Sequence, residues 1–165
     1  MIVEKPGEFE SIPALINANV RKALLYGFDL KFAYNFSTDF VLFGSGAYVR
    51  GMALETDGNL PLIPPLNGRM GLRYTNSRLG SLEFSVFGAA CQDKIAEGEK
   101  ETPGYYRLDA ALNTKTIYLG PVGLQLFAGI DNITNNRYTN HLSTNRGDIS
   151  VEPGRNIYLR LKLSF

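Results

Sequence analysis

Apolar and polar residues alternate with a period of two along most of this chain, the pattern of strands with two unlike faces. Leu24, Tyr26, Phe28, Leu30, Phe32 and Tyr34 are interleaved with Leu25, Gly27, Asp29, Lys31 and Ala33. The rhythm returns at Met70, Leu72 and Tyr74, at Leu82, Phe84 and Val86, at Tyr106, Leu108, Ala110 and Leu112, and from Val122 to Ile130. It is cleanest at the end, where Ile157, Leu159, Leu161, Leu163 and Phe165 oppose Asn156, Tyr158, Arg160, Lys162 and Ser164. A further strand spans about Phe40 to Arg50, with the pattern blurred at Gly44 and Gly46. Helical periodicity is hard to find. The pattern predicts seven strands, most near the roughly 9–11 residues that cross a bilayer when tilted.

The connections sort by length. Asn35 to Asp39, Thr75 to Gly80 and Thr116 to Pro121 are short. Arg50 to Leu66, Ala90 to Gly104 and Asn132 to Gly154 are long, and they alternate strictly with the short ones. Outer-membrane barrels show this asymmetry, with short periplasmic turns and longer external loops. On that reading the last strand descends and ends at the periplasm, and the strand from Leu24 also descends. Seven strands entered from outside make a piece of a barrel, since single-chain barrels generally have an even strand number. Residues 1–18 are expected to be an external loop or partial strand, because Pro6 and Pro13 each lack a ladder donor. Residues 19–165 are expected to be barrel.

Composition narrows the function classes. The 165 residues are 44% hydrophobic and 20% charged, with 17 Lys plus Arg against 16 Asp plus Glu. This balance carries no basic excess for nucleic acid. One cysteine and one histidine exclude an intrachain disulfide and a multi-histidine metal centre, and no metal site is assigned. The residues from Met1 to Gly7 show no basic region followed by an apolar run, so no secretory signal is read there. No stretch approaches a membrane helix. Tyr34, Phe36, Phe40, Tyr74, Tyr118 and Phe165 gather near periplasmic strand ends, and Tyr48, Tyr105, Tyr106 and Tyr138 near external ends, as interfacial girdles do.

Five blocks and the terminus carry a family resemblance. They are Ala23-Leu24-Leu25-Tyr26-Gly27-Phe28-Asp29, Ile63-Pro64-Pro65-Leu66-Asn67, Gly104-Tyr105-Tyr106-Arg107-Leu108-Asp109, the run from Ala128 to Tyr138 around Asp131-Asn132, and Glu152-Pro153-Gly154-Arg155-Asn156. In order and spacing they resemble the C-terminal barrel of a TonB-dependent outer-membrane receptor, and Phe165 resembles that family's terminal aromatic assembly signal. The resemblance implies an all-β fold: an antiparallel transmembrane β-barrel segment, about seven strands of a barrel of about 22. It implies import of a ferric siderophore, another metal chelate or a cobalamin-type ligand at the Gram-negative cell outer membrane. The segment alone would not be transport-competent. The implied partners are the rest of the barrel and its plug, the TonB system through the plug, outer-membrane lipid and lipopolysaccharide, and the barrel-assembly machinery. No cofactor and no nucleic acid is implied. The alternatives are a complete small eight-stranded barrel with a structural or adhesive role, and a soluble β-sandwich binding module.

Candidate ligand contacts in the last long loop are Tyr138, His141 and Arg146, with a solvated loop histidine as the plainer reading of His141. Arg137 and Arg155 offer further anion contacts. Asp29, Lys31, Arg69, Arg73, Glu83, Arg107, Asp109, Gln125, Arg160 and Lys162 are expected to line a polar lumen by structural pairing. No enzyme is read here: nothing in the sequence positions Ser143, His141 and Asp148 as a hydrolytic triad. Cys91 is expected to be a packed small residue. Met52 and Met70 are too few and too far apart to indicate copper binding.

Overall fold

The computed structural model describes residues 2–9, 12–19, 22–55, 57–147 and 149–165. The strands are β1 (Ile2–Phe9), β2 (Ile12–Asn19), β3 (Ala23–Asn35), β4 (Phe40–Ala53), β5 (Gly58–Asn59), β6 (Asn67–Asn76), β7 (Gly80–Ala89), β8 (Tyr105–Thr114), β9 (Ile117–Leu119), β10 (Val122–Asp131) and β11 (Asn156–Ser164). Among the described residues there is one helix, α1 (His141–Gly147), in the last long loop.

Seven long strands form an antiparallel meander in the order β11-β10-β8-β7-β6-β4-β3. Short β5 pairs with β4 and short β9 with β10. The seven expected strands are therefore all present, with β4 running to Ala53. The register puts every alternating set on one shared face. One row runs Tyr34, Leu42, Leu72, Phe84, Ala110, Ile130, Ile157 across all seven strands. The opposite face carries Asp29, Lys31, Arg69, Arg73, Glu83, Arg107, Asp109, Gln125, Arg160 and Lys162, as expected for a polar lumen. Large aromatic rings lie over glycines directly opposite them: Phe32 over Gly44, Phe43 over Gly71 and Tyr158 over Gly129. A Cβ at any of these three would strike the ring, so the glycine and the aromatic are one packing unit.

The sheet does not close. β3 and β11 are its unpaired edges, and every residue of both is exposed. The apolar face is exposed too; Leu159 is 69% exposed and Phe165 is 97% exposed. The eight-stranded closed barrel is thus not what these residues form. A water-soluble sandwich fits no better, because no second sheet covers this face among the described residues. Strands β1 and β2 make a separate antiparallel pair, where at most a partial strand was expected. The pairs Pro6↔Leu15 and Glu8↔Pro13 lie two steps apart and so belong to the same class of pair. That register lets both missing donors face away from the partner strand, which reconciles the prolines with a strand.

The buried core sits among the long loops at one end of the sheet. Ala53, Leu60 and Ile63 are its apolar members, with Val49 packed against them. Helix α1 was not anticipated. Seven residues are too few to show a period, and its start depends on Asn140, whose Oδ1 accepts the Leu142 N–H at 3.0 Å and the Ser143 N–H at 3.3 Å.

Two faces of one strand give a direct test. Spin labels at Leu159 and Leu161 in a bilayer-reconstituted barrel should be reached by lipid-soluble quenchers, and labels at Arg160 and Lys162 by water-soluble ones. Leu161→Arg should lower folding stability in liposomes by roughly 2–4 kcal/mol if it sits near the midplane.

Candidate functional site

At the long-loop end, β8, the end of β10 and the last loop build a rim above the polar face. Asp109, 8% exposed, is its anchor. Its carboxylate accepts the Arg107 guanidinium at 3.0 Å and the Asn132 backbone N–H at 2.9 Å. Asn132 is 1% exposed and holds a left-handed backbone, φ 54°. Its side-chain amide donates to the Asn136 carbonyl and accepts the Asn136 N–H, both at 2.9 Å. Asn135, also left-handed at φ 52°, accepts the Arg155 N–H through Oδ1 at 2.9 Å. A Cβ on Gly154 would stand 2.7 Å from that same oxygen, so a side chain there would push the Asn135 amide aside. Asparagine suits both turns because its short amide satisfies local backbone while tolerating a positive φ.

Around this rim lies a cavity of about 530 Å³ bordered by Arg107, Asp131, Tyr138, Glu152, Arg155 and Asn156, among others. Tyr138 stacks on Tyr105 with ring centroids 4.3 Å apart, and Arg107 donates to its hydroxyl at 3.4 Å. Glu152 Oε1 is buried with no hydrogen-bond partner. Tyr105 and Tyr138 therefore face the polar side. They do not belong to an external girdle as expected, since Tyr105 and Tyr106 are consecutive and a strand cannot turn both outward. At the opposite end Phe36, Phe40 and Tyr74 do cluster, with centroids 5.6 Å and 4.9 Å apart.

Lower on the polar face the charges pair. Glu83 receives Arg69 at 2.9 Å and Arg73 at 2.8 Å, and both guanidinium groups lie near the Phe43 ring. Gln125 donates to Asn113 at 2.9 Å.

The other candidate residues are separated from the cavity. His141 is 2% exposed and begins α1 inside a cap formed by the three long loops. Its Nδ1 lies 3.2 Å from both Thr102 Oγ1 and Asn145 Nδ2. The Asn145 amide is oriented by accepting the Lys100 N–H at 2.8 Å, so it donates to the ring and Nδ1 is the acceptor. The proton then sits on Nε2, which has no hydrogen-bond partner and stands 4.0 Å from Glu99 Oε1. Glu99 in turn accepts the Leu62 N–H at 2.6 Å and the Ala96 N–H at 2.9 Å. Gln92 donates to the Ile63 carbonyl at 2.7 Å. A solvated loop histidine was expected; packing of the loops against one another makes it an interior one. Of Ser143, His141 and Asp148, the last lies outside the described residues, and the histidine ring's contacts are Thr102 and Asn145. Arg146 is exposed in the last turn of α1, where its charge favours the helix C-terminus. Cys91 is exposed as well, because Gln92 takes the inward position beside it.

A family model for the TonB dependent receptor-like β-barrel matches residues 4–133. The chain belongs to that family. Among solved structures it is similar to one titled "Copper transporter OprC", at 26% sequence identity and a TM-score of 0.79. That match covers 98% of this chain and 27% of the other, so the chain spans about a quarter of that transporter's length. No curated protein matches. As in TonB-dependent receptors, the fold is an antiparallel transmembrane β-barrel segment. The family consists of Gram-negative outer-membrane proteins.

The rim residues Asp109, Asn132 and Glu152 were not singled out as site residues, although they lie in the family-like blocks. The signal for them was the run of asparagines after an apolar strand, which marks tight turns bonded by side chains. Asn132→Ala should lose two side-chain hydrogen bonds and strain a positive φ, costing about 2–4 kcal/mol. Faster protease cleavage between residues 132 and 155 of the intact barrel is the readout. Burial holds the His141 pKa below its ordinary 6.5, partly opposed by Glu99. A depressed histidine pKa means the cap is fully stable above that value and loses stability as pH falls below it. Cleavage in residues 90–104 should therefore quicken from about pH 7.5 to about pH 5, and His141→Gln should flatten the change.

Proposed function

We propose that this chain is part of the wall of a TonB-dependent outer-membrane transporter that imports a metal chelate, with its long-loop end outside the cell. The observation that carries this reading is the convergence of three separate sequence blocks on the cavity at the mouth of the polar face. Arg107 comes from one block, Asp131, Asn132 and Tyr138 from the second, and Glu152 to Asn156 from the third. The cavity offers two guanidinium groups, two carboxylates and a tyrosine stack. Such a surface recognises a bulky polar ligand by hydrogen bonds and ring contact.

Ligand classes consistent with this are ferric siderophores, other metal chelates and cobalamin-type molecules. The similar solved structure is a copper transporter, which makes copper a competing cargo. The placement of soft and imidazole ligands favours a chelate over a bare ion. Met52 and Met70 lie on the apolar face by register, and His141 is enclosed in the cap. Tyr138 is the ligand contact best supported by position. Arg146 is a second, peripheral one, and Phe165 remains the proposed assembly signal.

Uptake by the intact receptor tests this. Cells lacking the receptor, then supplied with it, should regain accumulation of a radiolabelled ferric chelate, with copper salt as the competing arm. Tyr138→Ala should weaken the apparent affinity up to about tenfold, the scale of one lost ring contact of about 1.4 kcal/mol. Restoration of copper uptake alone would overturn the chelate reading.

A further inference from the structure

We propose that the long-loop rim of the lipid-facing side holds the phosphate of an anionic outer-leaflet lipid between Arg50 and Lys94, an assignment that rests on the membrane placement above. Among the described residues of the seven long strands, Arg50 is the one charged residue that the register puts on the apolar face. It stands opposite Tyr26, between the pairs Leu24↔Met52 and Phe28↔Tyr48. The other charged residues of those strands lie on the polar face.

A cation costs several kcal/mol at mid-membrane but little near the interface. Arg50 is close to the end of β4, where a long side chain reaches the headgroup layer while its stem stays among apolar neighbours. Beside it is a groove of about 170 Å³ bordered by Tyr48, Arg50, Pro64, Pro65, Cys91 and Lys94. Lys94 is exposed, and neither cation makes an ion pair within the described residues. Asp93 also borders the groove, so its net charge is one positive, matched to a single phosphate. Pro64 and Pro65 make a stiff wall, and the guanidinium fork binds two phosphate oxygens at once.

The surface below the groove suits an acyl chain. Gly46, Gly68 and Gly88 lie in direct register on three adjacent strands. A Cβ at Gly46 or at Gly88 would meet nothing nearer than 3.8 Å, so the chain's own packing does not require glycine there. The bare strip is a shallow recess running across three strands, four residues along β4 from Arg50, and ended by Leu30 and Tyr106.

The test is lipid retention by the intact receptor barrel purified in mild detergent, read by native mass spectrometry and by its melting midpoint. The probes are a phosphorylated outer-leaflet glycolipid, the same lipid dephosphorylated, and inorganic phosphate alone. The wild type should retain the phosphorylated lipid and melt higher with it. Arg50→Gln combined with Lys94→Gln should bind it about tenfold more weakly. Arg50→Lys should keep most of the binding, and Lys115→Gln at the opposite end should keep all of it. Equal retention by wild type and the double variant would overturn the site, as would equal retention of both lipid forms. A midpoint rise with inorganic phosphate as large as with the lipid would overturn the assignment to lipid. If the double variant fails to fold, Lys94→Gln in its exposed loop carries the same comparison. Lipid retention is read apart from uptake, so its failure would leave the transport reading standing.

Discussion

A strand in hydrocarbon has one place to put each backbone N–H and C=O, the strand beside it. That constraint orders everything else in this chain. Each ladder between the seven long strands keeps one register, so a row begun by Tyr34 on one edge arrives at Ile157 on the other, and the one-residue slip falls where β9 follows β8 against β10. Continuous registry in turn keeps the alternating apolar rows together on one face and all charged residues of the seven long strands but Arg50 on the other. It also allows rings to settle onto facing glycines, where Gly129 accommodates Tyr158. The same rule makes the free edges of β3 and β11 intolerable in lipid, which is why the sheet reads as part of a larger closed wall.

Where the strands leave the membrane, the constraint passes from ladder to side chains. The Asp109 carboxylate takes over as acceptor for the first N–H beyond β10, and Asn132 and Asn135 bond the turn that follows. The cavity at the rim is then a by-product of finishing three strands properly. Its walls are held by groups that the backbone needs in any case, which gives a rigid mouth without a separate scaffold.

The strands, their faces and the two classes of connection were legible because period-2 alternation is set by the pleat and survives in the bare sequence. The asparagine turns were legible for a similar reason, since their chemistry is local. Four features were not. Helix α1 is shorter than any period it could display, and its cap depends on Asn140. The pairing of β1 with β2 turns on which class of pair the prolines occupy, which requires the register. Tyr105 was misassigned to a girdle because strand-end position says nothing of face. His141 was read as solvated because Thr102 and Glu99, which stand against its ring, come from a loop some forty residues earlier. Contacts between loops leave no trace in spacing.

The cap also bears on how such a wall can diversify. Glu99 bonds backbone on its own loop and on the one before it, and the His141 ring stands against it from the third. Loops tied in this way do not drift independently: an insertion in one displaces a partner in the next. New ligand preferences in this stretch would arise through concerted changes across all three loops, or at positions outside the knot such as Arg146. Long loops, usually the freest to vary, are here among the most constrained parts of the chain.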